Sequence, residues 1–116
     1  MEGEPLPDPV GVSTHRSPLN AKISTSSSGA VEIVAAAAGK RIVVVSWNVM
    51  ANGTTNVKWQ SATTDISGLY YLVANVGAVV NHAVPDFGLK TTAGEALNIN
   101  NSAAVAIGGY VTYYLE

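Results

Sequence analysis

Alternation of apolar and polar side chains from residue 21 onward is the feature that most limits what this chain can fold into. In the segment 41–51, Val43, Val45, Trp47 and Val49 occupy every second position. The intervening positions are apolar at the start of the segment and polar towards its end. Successive side chains of a β-strand point to opposite faces, so this pattern predicts a strand that is buried on both faces at first and on one face later.

The residues that follow this segment predict a hairpin. Asn52-Gly53 comes directly after it, and this dipeptide is typical of a two-residue hairpin turn because both positions accept positive φ. Residues 57–61 then alternate again, with Trp59 at their centre. We therefore expect the second strand to return beside the first, with Trp59 facing the same core as Trp47.

The rest of the sequence after residue 21 (the body) also consists of short apolar segments separated by turn residues. Gly108-Gly109 interrupts the last segment and indicates a bulge or a close approach of two backbones. The four alanines at 35–38 are the one place where a helical turn is expected to fit. About eight short strands without a convincing helix predict an all-β fold, an antiparallel sandwich or a barrel. The further candidate strands are 31–33, 69–74, 78–80, 96–100 and 104–115.

Residues 1–19 differ in composition from everything that follows. They contain four of the five prolines, three acidic residues and one basic residue, so they carry the whole formal net charge of −2. Closely spaced prolines exclude a helix and favour extended backbone. One interpretation is a frayed terminus, and the other is an arm that becomes ordered along a partner. The residues assigned to such a docking arm are Pro5, Leu6, Pro7, Pro9 and Val10, with Leu6 and Val10 as apolar anchors.

Composition argues against several classes of function. Only 12% of residues are charged and the body is neutral, whereas nucleic-acid binding requires a basic surface. The absence of cysteine excludes disulfides, thiolate nucleophiles and iron–sulfur clusters. No apolar run approaches the roughly 20 residues of a membrane-spanning helix, and the acidic start does not resemble a signal peptide. We expect a protein made in the cytoplasm, with neither nucleic acid nor membrane as a partner.

Candidate catalytic bases are few. His15 lies in the arm, where it cannot be held in a fixed geometry. His82 and Asp86 are four residues apart, a spacing that brings side chains together on a helix, but Pro85 lies between them in a segment that reads as strand and turn. We predict no hydrolytic site.

Metal and cofactor sites are also not expected. No histidine pair has the spacing that an iron site of the cupin type needs, and the carboxylates are scattered singly along the chain. An oxygen-only calcium site involving Asp65, Asp86 or Glu95 stays open. The sequence predicts no enzyme and no cofactor.

Two tyrosines suggest a contact surface. The positions of Trp47 and Trp59 favour core packing over a sugar-binding platform. Tyr110 and Tyr114 fall on the face of the last strand opposite Val111, where they are expected to form an exposed apolar patch. Such a patch more often marks a subunit interface than a sugar site.

The body resembles a family of small virion proteins of tailed bacteriophages. The resemblance covers about residues 22–116, and residues 1–19 depart from it. It implies a single jelly-roll domain over 20–116, without a catalytic motif to transfer. The segments that carry the resemblance are 39–46, 57–61, 68–69, 74–75, 92–100, Val105 and 108–113.

The same resemblance implies a role in a virus particle. It predicts a head-decoration (cement) protein that binds the major capsid protein on the outer surface of the capsid and assembles as a homotrimer. A tail-fibre or tail-tip module that contacts host glycans is the alternative. On the first interpretation Tyr110 and Tyr114 belong to the trimer interface, and the arm holds the trimer on the shell.

Overall fold

The structure, a computed structural model, describes residues 17–82 and 88–116. In these two ranges the chain forms nine β-strands and no helix. The strands are β1 (Leu19–Thr25), β2 (Gly29–Val34), β3 (Ile42–Ala51), β4 (Thr55–Ser61), β5 (Thr64–Asp65), β6 (Tyr70–Leu72), β7 (Val76–Asn81), β8 (Leu97–Asn101) and β9 (Ile107–Leu115).

The strands form two antiparallel sheets, which confirms the predicted β-sandwich. Sheet A has the order β1-β9-β3-β7, and sheet B has the order β2-β8-β4-β5, with β6 also paired to β4. The pairing is nested: β1 pairs with β9, β2 with β8, β3 with β7, and β4 with β5 and β6. Successive pairs alternate between the sheets. A long hairpin rolled up in this way is a jelly roll.

β1 begins at Leu19, one residue inside the segment assigned to the arm. Leu19 is opposite Tyr113 of β9, so the sandwich already includes this residue. The docking-arm residues Pro5, Leu6, Pro7, Pro9 and Val10 lie outside the described residues.

The predicted hairpin at Asn52-Gly53 is wrong. β3 belongs to sheet A and β4 to sheet B, so this segment crosses between the sheets. Neither residue has the positive φ that a type I′ turn requires. The crossing has a physical reason, because it places Trp47 and Trp59 on opposite sheets, where both reach the core. A two-residue hairpin loop occurs instead at Ala62-Thr63, where Ala62 has φ 52°.

The tryptophans share the core as predicted. The rings of Trp47 and Trp59 have centroids 5.6 Å apart at 68°, and Tyr70 packs against Trp47 at 4.8 Å and 75°. These edge-to-face contacts join the two sheets, and each contributes about 0.5–1.5 kcal/mol beyond the burial of its area. Neither indole Nε1–H has a hydrogen-bond partner among the described residues. Ring packing therefore accounts for the stabilisation.

A β-bulge on β3 corrects the predicted faces of this strand. The register with β9 shifts between Val44 and Ser46, which leaves Val45 as the extra residue. One extra residue reverses the alternation. Ile42 and Val44 consequently join Trp47 in the core, whereas Val43, predicted on the Trp47 face, is buried but outside the core cluster.

The alanines at 35–38 form no helical turn. They follow β2 as irregular backbone and end in a turn in which the Lys40 N–H donates to the Ala37 carbonyl at 3.0 Å. Gly39 has φ 70°, a left-handed conformation that suits glycine at this position.

Candidate protein-docking face

Of the predicted catalytic candidates His15, His82 and Asp86, the structure describes His82, whose Nε2 is buried without a hydrogen-bond partner among the described residues. His82 follows β7, and its backbone N–H donates to the Val45 carbonyl at 2.9 Å. Its ring lies against Gly88, where an added Cβ would approach the ring Cγ to 2.5 Å. His15 and Asp86 lie outside the described residues.

Two carboxylates among the described residues, Asp65 and Glu95, contact neighbouring side chains at separate places. Glu95 accepts a hydrogen bond from the Ser61 hydroxyl at 2.6 Å, and Asp65 contacts Lys58 and Gln60. Among residues 17–82 and 88–116, no three His, Asp or Glu side chains come together as a metal site. No helix in these ranges is long and apolar enough to cross a bilayer.

The outer face of sheet B is polar around Gln60, where side chains bond to each other and to the backbone, and Asn98 Oδ1 is buried without a partner among the described residues. One cross-strand row runs from Glu32 through Asn98 and Gln60 to Asp65. Asn98 Nδ2 donates to the Ala62 carbonyl at 2.9 Å, and Gln60 Nε2 donates to Asp65 Oδ1 at 2.8 Å. This row gives the face its own hydrogen-bond network.

The contacts of Asp65 affect the pKa of its carboxyl group. The hydrogen bond from Gln60, together with the ion pair to Lys58 Nζ at 3.0 Å, lowers the pKa of the Asp65 carboxyl below its ordinary value. Both contacts favour the ionised form. The Asp65 carboxylate is thus ionised at neutral pH.

The outer face of sheet A is apolar at its centre. The register places Lys22, Tyr110, Asn48 and Val79 in one row across the four strands. Tyr110 is 49% exposed and Val79 is 74% exposed. Lys22, at the margin, is the only charged side chain in this row.

The neighbouring row contains Met50 between two glycines. Gly108 of β9 and Gly77 of β7 are its cross-strand partners, and Met50 is 57% exposed. Because both partners are glycines, no side chain flanks Met50 on β7 or β9 in this row. A shallow depression lies on each side of Met50. The one that includes Gly108 has a volume of about 420 Å³, and the one that includes Gly77 about 290 Å³. We call Met50, Val79, Tyr110 and the two glycines the docking face.

Close backbone approach explains why glycine is needed next to β3. A Cβ at Gly109 would lie 2.0 Å from the Asn48 carbonyl oxygen, and one at Gly77 would lie 2.3 Å from the Val49 carbonyl oxygen. Gly109 also has φ 152°, which other residues rarely adopt. The close approach predicted at Gly108-Gly109 is confirmed for Gly109, whereas the register shift of sheet A lies on β3.

The two tyrosines predicted to form an exposed patch differ in their surroundings. Tyr110 is exposed as expected. The expected exposure of Tyr114 is wrong, because this side chain is only 6% exposed. It lies opposite Val43, which is fully buried, at the end of β3 where residues 89–91 pair alongside. Only the Tyr110 end of this face is open.

Sequence reasoning missed Met50 and Val79 as surface residues. The available signal was that Met50 alternates with Val49 and therefore falls on the face opposite the core. An apolar residue at such a position, beside Asn48, indicates exposure once the strand is known to be covered on one side. Val79 gave no comparable signal, because both of its adjacent residues, Ala78 and Val80, are apolar.

Comparison of the sequence with protein-family models finds no match, and no curated protein has a matching sequence.

Proposed function

We propose that this chain is a structural virion protein, a decoration (cement) protein that binds the outside of a tailed-phage head as a homotrimer. The observation that supports this proposal best is the exposed, nearly uncharged docking face around Met50, Val79 and Tyr110. A role in assembly also agrees with the jelly-roll fold and with the resemblance of residues 22–116 to small phage virion proteins. The partner on this proposal is the major capsid protein.

The energetics of the docking face favour protein contact. Full burial of a valine or methionine side chain contributes about 1.5–3 kcal/mol, and exposed apolar patches of this kind mark interaction surfaces. Aromatic residues and methionine are enriched in interfaces, whereas charged residues are depleted at interface cores. The composition of the docking face follows this rule.

The alternative is a tail-fibre or tail-tip module that binds host glycans. It is favoured by Tyr71, which is 76% exposed on β6 and lies opposite Asn56 of β4. An exposed aromatic ring beside amide groups is suited to stacking and hydrogen bonding with a sugar. Tyr71 lies at the edge of sheet B, so the two proposals place the working surface on different sides of the sandwich.

Immunogold labelling of purified virions with an antibody against residues 20–116 tests the proposal. The decoration role predicts uniform label over the head at high copy number. Label confined to the tail tip would contradict it and support the glycan-binding alternative, with Tyr71 as the first residue to substitute. Virions without any label would contradict both.

The N-terminal arm has a separate part in the proposal. Three arms from one trimer would attach it to the shell by multivalency, since each arm after the first binds at high effective concentration. Removing residues 1–16 leaves β1 whole, because that strand begins at Leu19. The truncated chain should lose capsid occupancy and remain a trimer. Unchanged occupancy would contradict a docking role for the arm.

A further inference from the structure

β7 differs from the other edges of the two sheets. An edge strand has unpaired backbone N–H and C=O groups that can pair with a strand of another molecule. Proteins usually prevent this with charged residues, proline, bulges or very short edge strands. β1 carries Lys22 and follows Pro18, β2 carries Glu32 beside a register shift, and β5 and β6 have only two and three residues. The six residues of β7, Val76–Asn81, contain no charge and no proline, and their register with β3 has no shift.

The hydrogen bonds of β7 show which backbone groups face outward. The His82 N–H donates to the Val45 carbonyl, and antiparallel pairs alternate between bonded and non-bonded positions. Ala78 and Val80 therefore point their N–H and C=O groups towards β3. Gly77, Val79 and Asn81 point theirs away from it, and β7 has no strand on that side among the described residues.

We infer that β7 is a strand-acceptor edge that binds an extended, uncharged segment of a partner protein. Free backbone groups two residues apart repeat at roughly 6–7 Å, and an extended peptide satisfies them at this spacing. A small ligand would satisfy one position and leave the others unpaired.

The surroundings of the edge define the chemistry of that segment. Val79 projects next to Met50 on the docking face, and the depression that includes Gly77 lies between them. Apolar side chains at alternate positions of the bound segment would pack here. A charged residue would lose hydration without gaining a partner, because the described residues of the docking face itself carry no charge.

This inference does not depend on the virion role. It concerns the backbone of β7 and holds for any partner that presents a suitable segment. Its test therefore uses the purified full-length chain and a defined peptide. A negative result for peptide binding at β7 is then distinguishable from a negative result for the decoration role.

The first measurement is amide hydrogen exchange by NMR on the full-length chain alone. The amides of Gly77, Val79 and Asn81 should exchange at least tenfold faster than those of Ala78 and Val80, which donate to β3. Slow exchange at all five positions would overturn the inference, because the edge would already be covered by the chain itself. Protection that rises with protein concentration would identify a second copy as the occupant and overturn the proposed partner.

The second measurement is binding of a fluorescein-labelled, capped eight-residue peptide of alternating valine and threonine, followed by anisotropy. The peptide should bind saturably and should protect Gly77, Val79 and Asn81 from exchange. A version methylated at alternate backbone nitrogens cannot donate and should bind at least tenfold more weakly. Absent binding of the parent peptide, or equal binding of the methylated one, would contradict strand addition.

Two variants localise the contact. Val79→Pro removes an outward N–H that β3 does not use, and proline is tolerated on edge strands, so the sandwich should still fold. Val79→Lys adds the charge that other edges carry. Each should weaken peptide binding at least tenfold, whereas the control Val73→Lys, at a 52% exposed position outside β7, should leave it within twofold. Equal effects of Val79→Lys and Val73→Lys would overturn the assignment to β7.

Discussion

The two outer faces of the sandwich differ in how their exposed groups are satisfied. On sheet B the polar groups form a network, in which Gln60 donates to Asp65 and Asn98 donates to the Ala62 carbonyl. On sheet A the exposed side chains of Met50 and Val79 are apolar, and a polar cross-strand pair, Asn20 with Thr112 at 2.7 Å, lies at the side.

The difference indicates which face would gain more free energy from a partner. Gln60 and Asp65 already have hydrogen-bond partners within the chain, whereas Asn98 Oδ1 has none among the described residues, so burying this polar face would contribute little. An apolar face with two depressions gains free energy when it is buried, so the docking face is the part of the molecule where assembly is most favourable. The comparison also separates structural residues from contact residues, because substitutions on the two faces should affect different measurements.

The largest effect on stability is expected from Gly109→Ala. The added Cβ would meet the Asn48 carbonyl oxygen at 2.0 Å, and alanine does not readily adopt φ 152°. We expect a loss of about 3 kcal/mol or more in the free energy of unfolding, measured by urea denaturation. Such a loss would show that the pairing of β9 with β3 depends on this close backbone approach.

Gly68→Ala is the matched control for that substitution. Nothing lies within 4 Å of a Cβ at Gly68, and its φ is not in the left-handed region. The free energy of unfolding should change by less than about 0.5 kcal/mol. Similar losses for both variants would contradict the steric explanation.

A smaller effect is expected from Asn98→Ala on the polar face. The variant loses the hydrogen bond to the Ala62 carbonyl and should be destabilised by about 1 kcal/mol in urea. Asn100→Ala should cost less, since the contact of Asn100 Nδ2 with Gln60 Oε1 is 3.5 Å long. Neither variant should change the oligomeric state. A change in subunit number would contradict the separation of the two faces.

The smallest effect is expected from Asp65→Asn, and it should depend on pH. The pKa of Asp65 is lowered in the folded state by Gln60 and Lys58. Its contribution to stability is therefore present above the unfolded pKa, about 4, and is lost as the pH falls through the folded value. The wild type should have a slightly higher Tm at pH 7, and the difference should disappear once the pH is below the folded pKa of Asp65. A difference that persists at the lower pH would contradict an electrostatic origin.

The strands and the shared core could be predicted from the sequence because they depend on local alternation. The period of two identified β3 and β4. It also placed Trp47 and Trp59 on the inward faces of their strands, and therefore in one core. The turn at Asn52-Gly53 could not be predicted correctly. Its local preference for a hairpin is weaker than the burial of two indoles on opposite sheets, which the sequence alone does not reveal.

The docking face was only partly predictable for similar reasons. Alternation assigned Tyr110 and Tyr114 to the same face of β9, but exposure depends on which neighbouring segment covers each end. The bulge at Val45 could not be read from a run of four apolar residues, since every position in that run is compatible with burial. Register across strands, which brings Met50 between two glycines, is a non-local property.

We propose that copies of the chain assemble through the Tyr110 side of the docking face, which leaves β7, on the other side of β3, for a partner segment. Size-exclusion chromatography with multi-angle light scattering on the full-length protein tests it directly, with the paired variants Tyr110→Asp and Tyr71→Asp. We expect a trimer of three 11.9 kDa chains for the wild type and for Tyr71→Asp, and monomers for Tyr110→Asp. A wild-type monomer, or a Tyr110→Asp variant that remains a trimer, would contradict it.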